Sequence, residues 1–333
     1  MNHNPVITGS GSYVPDEVMT NKDLEKIVDT SDEWIRTRSG IEERRIAADD
    51  QAASDLGAEA SREALEDAEI TPDAIDMIIV ATCTPDMAFP ATACRLQEKI
   101  GITSAAAVDI SAACSGFIYA LSLAHSQVMA GVAENVLVVA SEVLSQYLNW
   151  DDRTTCVLFG DGAGAVVVSN RPGIETGSID SVYIKAAGEY GDILTLPAGG
   201  SERNFKPDAP EETRQLLAMD GRAVYKVAVR KMRSAALRAL RRADISPDEI
   251  DWVICHQANK RIIDAVRSRL DQPEEKMIVN LQKYGNTSAA SIPLALDEAR
   301  EEGRVNPGDK LLFVAFGGGL TWGSSVVTMP AEE

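Results

Sequence analysis

Histidine is scarce in this chain, three residues in 333, and cysteine is hardly commoner. The five cysteines, Cys83, Cys94, Cys114, Cys156 and Cys255, are odd in number and scattered, with no Cys-x-x-Cys pair. That pattern excludes a disulfide framework and a structural zinc site, and it fits free thiols in a reducing cytoplasm. Long apolar runs are missing too. Stretches such as 77–81 and 136–140 are five residues long, whereas a membrane helix needs about 20; they read as buried strands, and no membrane partner is expected. The N-terminal stretch has no basic segment leading into an apolar one, so no secretory leader is expected. Positive charge is in short supply. The 32 Lys and Arg against 51 Asp and Glu leave a net charge of −19, which argues against a nucleic-acid partner. What remains, 45% hydrophobic and 25% charged, is a globular composition, at a length that suits two core-bearing halves.

An internal repeat organises the chain. Ala64-Leu65-x-x-Ala68-Glu69-Ile70-Thr71-Pro72-Asp73-x-Ile75-Asp76 returns as Ala239-Leu240-x-x-Ala243-Asp244-Ile245-Ser246-Pro247-Asp248-x-Ile250-Asp251, 175 residues later. Each copy reads as a helix end, a turn and an apolar strand. The same offset superimposes 136–140 on 311–315, so the pattern predicts a duplication, with halves 1–172 and 173–333 joined near 170–177. Strands are expected at 6–9, 106–110 (buried), 136–140, 163–169, 250–255 and 278–281, and helices at 52–68 and 114–130, the latter closed by Gly131. Such alternation implies parallel or mixed sheets covered by helices. The segment 188–217 reads as an insertion with little regular structure. Pro293 inside the helical pattern 287–302 predicts a kink or a late helix start.

Cys114 stands in Val108-Asp109-Ile110-Ser111-Ala112-Ala113-Cys114-Ser115-Gly116-Phe117, where a strand ends and a helix begins. A helix N-terminus favours the thiolate, and small neighbours leave room for a substrate. A cysteine nucleophile wants a histidine. His3 lies in the N-terminal tail, and His125 lies eleven residues along the same helix, roughly 16 Å away. His256, at a strand end before Gln257-Ala258-Asn259, is left. Asn286, in Tyr284-Gly285-Asn286-Thr287-Ser288-Ala289-Ala290-Ser291, lies at an offset of 171 to 172 from Cys114, close to the place the repeat assigns to it in the second half. On local grounds it could equally be a turn or cap residue. The glycines of Phe316-Gly317-Gly318-Gly319-Leu320 serve a tight turn or let a backbone N–H approach a substrate oxygen.

Ala112-Ala113-Cys114-Ser115-Gly116-Phe117, His256-Gln257-Ala258-Asn259, Gly285-Asn286-Thr287-Ser288-Ala289-Ala290-Ser291 and Gly317-Gly318-Gly319-x-Thr321-Trp322-Gly323 together resemble β-ketoacyl-acyl-carrier-protein synthase III. So do Thr30-Ser31-Asp32-Glu33-Trp34-Ile35 and Phe159-Gly160-Asp161-Gly162-Ala163-Gly164-Ala165, in the same order along the chain. The resemblance implies a thiolase-like α/β fold, its duplicated halves forming five αβαβα layers, and a homodimer. It implies a catalytic set of Cys114, His256 and Asn286, with an oxyanion hole from the N–H groups of Cys114 and Gly318. Acyl-coenzyme A would acylate Cys114, and malonyl-acyl carrier protein would lose carbon dioxide and condense with the acyl group. Thr30, Trp34, Arg38 and Arg153 would hold coenzyme A, Asn259 the pantetheine arm, and Phe89 would close the partner's acyl pocket. Coenzyme A and the carrier's phosphopantetheine are then substrates, with no resident cofactor and no metal. Arg222 stands where the family often has Asn.

A thiolase proper would need a second cysteine in the glycine-rich C-terminal motif. A specialised-metabolism acyltransferase or quinolone-type synthase of the same fold would keep the three residues and change the mouth and the partners. A cysteine hydrolase would use Asn286 to orient His256, and a non-catalytic scaffold would have no use for the trio. Charge adds one more clue. Between residues 219 and 270 there are 12 Lys and Arg but 6 Asp and Glu, a basic island on an acidic chain. Arg222, Lys226, Arg230 and Arg233 share a helical stripe, with Arg261, Arg267 and Arg269 after His256. A solvated helix face is the plain reading. The functional one is a dock for an acidic carrier protein, using Lys226, Gln257, Ala258, Asn259, Lys260 and Arg261.

Overall fold

The apolar runs resolve into two five-stranded sheets. A computed structural model describes residues 3–174, 176–197, 200–201 and 216–331. The first half runs β1 (Pro5–Tyr13), β2 (Glu17–Thr20), α1 (Asn21–Leu24), α2 (Asp32–Ser39), β3 (Glu43–Ile46), α3 (Ala53–Asp67), β4 (Met77–Ala81), α4 (Thr92–Lys99), β5 (Ala106–Ile110), α5 (Gly116–Met129), β6 (Asn135–Glu142) and β7 (Gly162–Asn170). The second runs β8 (Ser178–Ala186), β9 (Leu194–Thr195), β10 (Ala218–Met219), α6 (Gly221–Ala243), β11 (Trp252–Cys255), α7 (Lys260–Arg269), β12 (Met277–Ile278), α8 (Leu281–Tyr284), α9 (Ser291–Glu301), β13 (Lys310–Gly317) and β14 (Thr321–Thr328).

The strand orders are β1-β7-β6-β4-β5 and β8-β14-β13-β11-β12, one pattern used twice. In each, the three strands at one end are parallel and the other pairings antiparallel. The repeat is visible in backbone detail. Thr71 and Ser246 both have φ −79° and ψ 154° ahead of their Pro-Asp turns. Glu69 and Asp244 just before them are both left-handed, at φ 54° and 57°.

The strands alternate between two apolar environments, so both sheet faces are buried. In β4, Ile78 and Val80 join α3 and α4 on the outer side, while Ile79 and Ala81 face inward to α5. In β13, Leu312 and Val314 pack outward with α6 and α7, and Leu311 and Phe313 inward with α5 and α9. The result is five layers: α3 with α4, the first sheet, α5 with α9, the second sheet, α6 with α7. Phe117 of α5 meets Phe313 of β13 at the centre, ring centroids 6.1 Å apart.

Four details differ from the sequence reading. β5 lies at a sheet edge and is partly exposed, because an apolar strand looks the same in sequence whether or not a neighbour covers it. The strand read at 278–281 shrinks to Met277–Ile278, since Leu281 opens α8. α5 begins at Gly116, after a separate 3-10 turn that contains Cys114. The segment 188–217 includes a 3-10 helix, Gly188–Ile193, and the strand β9, paired with β10; its residues 198–199 and 202–215 lie outside the described residues. Pro293 falls in the first turn of α9, where no N–H is needed, so the helix starts late and is not broken. All five cysteines are free, and no helix among the described residues is long and apolar enough to cross a membrane.

Close layer packing sets a steric test. At Gly11 in β1 a Cβ would stand 2.4 Å from the Ala64 nitrogen and 2.5 Å from the Ala60 oxygen of α3. Gly11→Ala should therefore lower the unfolding free energy by about 1–3 kcal/mol in denaturant titration. Gly188→Ala, which meets nothing within 4 Å, should be near neutral.

Candidate active site

Cys114 occupies the 3-10 turn Ala113–Ser115 between β5 and α5. Ala113 before it has φ 45°, a conformation that costs an L-residue roughly 1–2 kcal/mol. Hydrogen bonds hold the turn. Thr321 donates to the Ala112 carbonyl (2.8 Å) and accepts from the Ser115 hydroxyl (2.8 Å). Gly317 at the end of β13 makes room, because a Cβ there would lie 2.7 Å from the Cys114 nitrogen. A Cβ on Gly318 would lie 3.6 Å from that of Ala113, so this residue also borders the turn.

The second half supplies the same device. Ser288, in the 3-10 turn Ser288–Ala290 ahead of α9, has φ 51°. The counterpart of Cys114 at the offset of 175 is thus Ala289, and Asn286 lies three residues earlier, in the lead-in to the turn. The sequence offset of 171 to 172 sets Asn286 itself opposite Cys114, three to four residues short of the repeat's 175. Asn286 is latched by its backbone: its N–H donates to Leu158 O (2.8 Å), and its carbonyl accepts from Gly160 (3.2 Å). Its side-chain oxygen accepts the Ser288 N–H at 2.9 Å, which leaves its NH2 as the uncommitted end. Behind this loop the buried Arg44 donates to Val157 O (2.8 Å), Met19 O (3.1 Å) and the Asn21 side chain (3.0 Å). Burial pulls its pKa down to about 10.

His256 follows β11, and its backbone N–H donates to Val314 O (2.8 Å). Its Nδ1 lies 2.7 Å from the hydroxyl of Ser291, the first residue of α9, and that hydroxyl also accepts the Gln257 N–H (3.3 Å). Burial drives the imidazole pKa down to about 3. It drives the Cys114 thiol up to about 12, with the charge of Glu142 adding and the Ser288 hydroxyl opposing.

Cys114, His256, Asn286 and Phe316 line the same cleft of about 970 Å³ as Trp34, Arg38, Arg153, Arg222, Asn259 and Arg261. The last group is exposed or half-buried and forms the mouth. Two guanidinium groups approach the Trp34 ring, Arg38 at 4.6 Å and Arg153 at 5.2 Å from its centroid, an arrangement of aromatic surface and positive charge that suits a flat base with phosphates beside it. Asn259 caps α7 through its oxygen and donates to Arg38 O (3.0 Å).

Thr30, Phe89, Lys226, Gln257 and Lys260 fall outside the cleft lining, whereas Ala258 and Arg261 belong to it. The Thr30 hydroxyl is buried without a partner. Phe89 is 84% exposed, on the loop between β4 and α4, so it is not a core residue of this chain. Gln257 is 1% exposed and donates its amide to Cys255 O at 2.7 Å. It shapes the loop from within and leaves the docking set. Lys226 and Arg261 are exposed, Ala258 is half-buried, and Lys260 is paired with Asp264. Sequence reasoning passed over Arg44, Ser288, Ser291 and Glu142. The visible signals were a charge ending an apolar strand and two serines beside Asn286.

Residues 108–188 match the family model described as 3-oxoacyl-[acyl-carrier-protein (ACP)] synthase III, and residues 240–329 match the model of its C terminal. The chain is 54% identical over 322 residues, 96% of each chain, to a β-ketoacyl-[acyl-carrier-protein] synthase III of Caldanaerobacter subterraneus. It is 51% identical to the Roseiflexus sp. protein of that name, over 98% of each chain. The crystal structure of 3-oxoacyl-[acyl-carrier-protein] synthase III from Aquifex aeolicus superposes with a TM-score of 0.89 at 48% identity, covering 97% of this chain and 99% of that one.

The depressed pKa of His256 has a measurable sign. Its folded value of about 3 lies below the ordinary 6.5, so its neutral form contributes stability that is complete above pH ~6.5 and is lost as pH falls towards ~3. In 15N-resolved spectra the imidazole should still be neutral at about pH 5. A His256 resonance titrating between about pH 6 and 7 would contradict this assignment.

Proposed function

The chain belongs to the 3-oxoacyl-[acyl-carrier-protein] synthase III family and is an acyltransferase of the thiolase-like fold, and from that premise we propose how its cleft carries out the initiating condensation of fatty-acid synthesis. Cys114 attacks a short acyl-coenzyme A, the backbone N–H groups of Cys114 and Gly318 hold the oxyanion, and coenzyme A leaves. Malonyl-acyl carrier protein then enters by the same mouth. As its carboxylate departs as carbon dioxide, His256 and Asn286 donate to the thioester oxygen that becomes the enolate. The carbanion attacks the acyl carbon and Cys114 leaves as the thiolate, so the product is a 3-oxoacyl-acyl carrier protein. The thioesters are substrates, and no resident cofactor enters the scheme.

One observation carries this reading: two neutral donors turn towards the nucleophile's cleft. The Ser291 hydroxyl engages Nδ1 of His256 and leaves Nε2 as the imidazole's free nitrogen; in the tautomer this reading requires, Ser291 donates to Nδ1 and the proton sits on Nε2. Asn286 keeps its NH2 in the same way. Neutral donors stabilise an enolate without repelling or trapping the malonyl carboxylate. A cysteine hydrolase would need Asn286 to orient His256, but Ser291 holds that place.

A homodimer is part of the proposal. What supports it is the exposed edge strand β5, with Val108 and, nearby in sequence, Phe89 and Met87 open to solvent. Phe89 would then reach into the partner's acyl pocket. The cytoplasm suits the five free thiols.

Cys114→Ala should abolish the acyl adduct seen by intact-protein mass spectrometry after exposure to acetyl-coenzyme A. Asn286→Ala or His256→Ala should slow malonyl-carrier decarboxylation by about 10²-fold and spare acylation more. An adduct on Cys83 or Cys255, or equal losses in both half-reactions, would overturn the assignment. The exposed basic stripe of α6 stands beside the mouth, with Arg222 in its lining. Lys226→Glu should raise KM for the acidic carrier by about tenfold at low salt and less at high salt, with acylation by coenzyme A starters little changed. A salt dependence that survives the reversal unaltered would remove α6 from the docking surface.

A further inference from the structure

Three carboxylates meet at the seam between the two halves, outside the cleft lining. Glu63 belongs to α3, Asp297 and Glu301 to α9, and carboxylate oxygens of the three lie within 4.8 Å of one another. The Asp297 side chain is 4% exposed. Its Oδ1 accepts the Ser10 hydroxyl at 2.7 Å, while Oδ2 is buried with no hydrogen-bond partner among the described residues. A buried carboxylate oxygen left so is costly. Glu63 spends Oε2 on the Ser12 N–H (2.7 Å). No Lys or Arg pairs with any of the three among the described residues, and Arg300, beside Glu301 in sequence, is committed to Asp67 and to the Ser10 hydroxyl (2.5 Å). The helices sharpen the problem. Glu63 stands just before the last turn of α3, which holds no basic residue, and Glu301 is the last residue of α9. The carbonyl end of a helix disfavours negative charge. All three carboxyls are pushed above their ordinary pKa values, by burial first, with the charges of neighbouring carboxylates adding.

We propose that Glu63, Asp297 and Glu301 bind a hard divalent cation, of the Ca²⁺ and Mg²⁺ class, that ties α9 to α3 across the duplication. The donors are oxygen only, with no imidazole or thiol among them, which favours those ions over zinc, copper or iron. Oxygens within 4.8 Å of one another can share an ion that sits about 2.3–2.6 Å from each, so Ca²⁺ fits directly, whereas Mg²⁺ at about 2.0–2.1 Å keeps water in part of its shell. The ion supplies Asp297 Oδ2 with the partner it lacks and offsets two negative helix ends at once. The other charged groups close to the cluster are Asp67 and Arg300, which pair with each other and leave the three carboxylates uncompensated. The cation touches no substrate. It anchors the far end of α9, whose first residue, Ser291, holds His256.

Chelator-stripped protein is titrated with calcium chloride and, separately, magnesium chloride at neutral pH and constant ionic strength, by calorimetry and by thermal melting. The wild-type chain should take up one ion and melt about 3–5 °C higher at saturation, with Ca²⁺ the tighter of the two. Asp297→Asn should abolish uptake. Glu301→Gln, at an exposed position that tolerates the change, decides the matter if the Asn variant does not fold. It should weaken uptake by about tenfold or more and, without the ion, melt no lower than the wild type, because one repelling charge is gone. A wild-type chain that takes up neither ion would overturn the site, as would a folded variant that binds like the wild type. Equal stabilisation by sodium chloride at matched ionic strength would reduce the effect to screening and overturn it too. A melting temperature that rises as pH falls and ignores both ions would assign the carboxyls a shared proton in place of a cation.

Discussion

Two left-handed residues, Ala113 and Ser288, set the geometry on which the rest of the site depends. Each sits in a 3-10 turn at the head of a central helix, and the two turns meet between the sheets. Neither conformation is cheap for a residue with a side chain. They persist because the surroundings over-determine them: Thr321 and Ser115 grip the first turn, and Asn286 takes the Ser288 N–H in the second. With the turns fixed, α5 and α9 fill the central layer, and the sheets close over them.

Charge is segregated by depth. The surface is acidic overall, the mouth carries Arg38, Arg153, Arg222 and Arg261, and at the floor the imidazole is kept neutral and the thiol protonated by burial. A mouth so charged attracts anionic ligands, and the floor offers directional dipoles, where a full charge would be costly to bury. The buried carboxyl of Glu142 is held by the Cys83 N–H and the Thr84 hydroxyl and is not part of the cleft lining.

The architecture was legible because a duplication leaves a register that can be checked at several points, from Thr71 and Ser246 to β6 and β13. Cys114 and His256 were legible from strand–turn punctuation and the scarcity of histidine. Asn286 was found by an offset three to four residues short of the true one, because a turn and its lead-in look alike in sequence. The failures share a cause: sequence patterns report polarity but not which neighbour covers a residue. β5 looked buried and lies at an edge, and Gln257 looked like a surface polar group and is an internal strut. Ser291 and Arg44 act across long sequence separations, and no local signal pairs Ser291 with His256 or Arg44 with Val157.

Ala289 stands where Cys114 stands in the other half, and its methyl group lies 3.3 Å from where a Cβ on Gly116 would be. The molecule is thus a near-symmetric body with one reactive pole. A larger residue at 289 would press on the first turn of α5, the helix that follows the nucleophile. The two turns are thus alike in backbone and unlike in content: one holds a thiol that lines the cleft, the other a methyl group that is 1% exposed and serves the packing of the two helix heads.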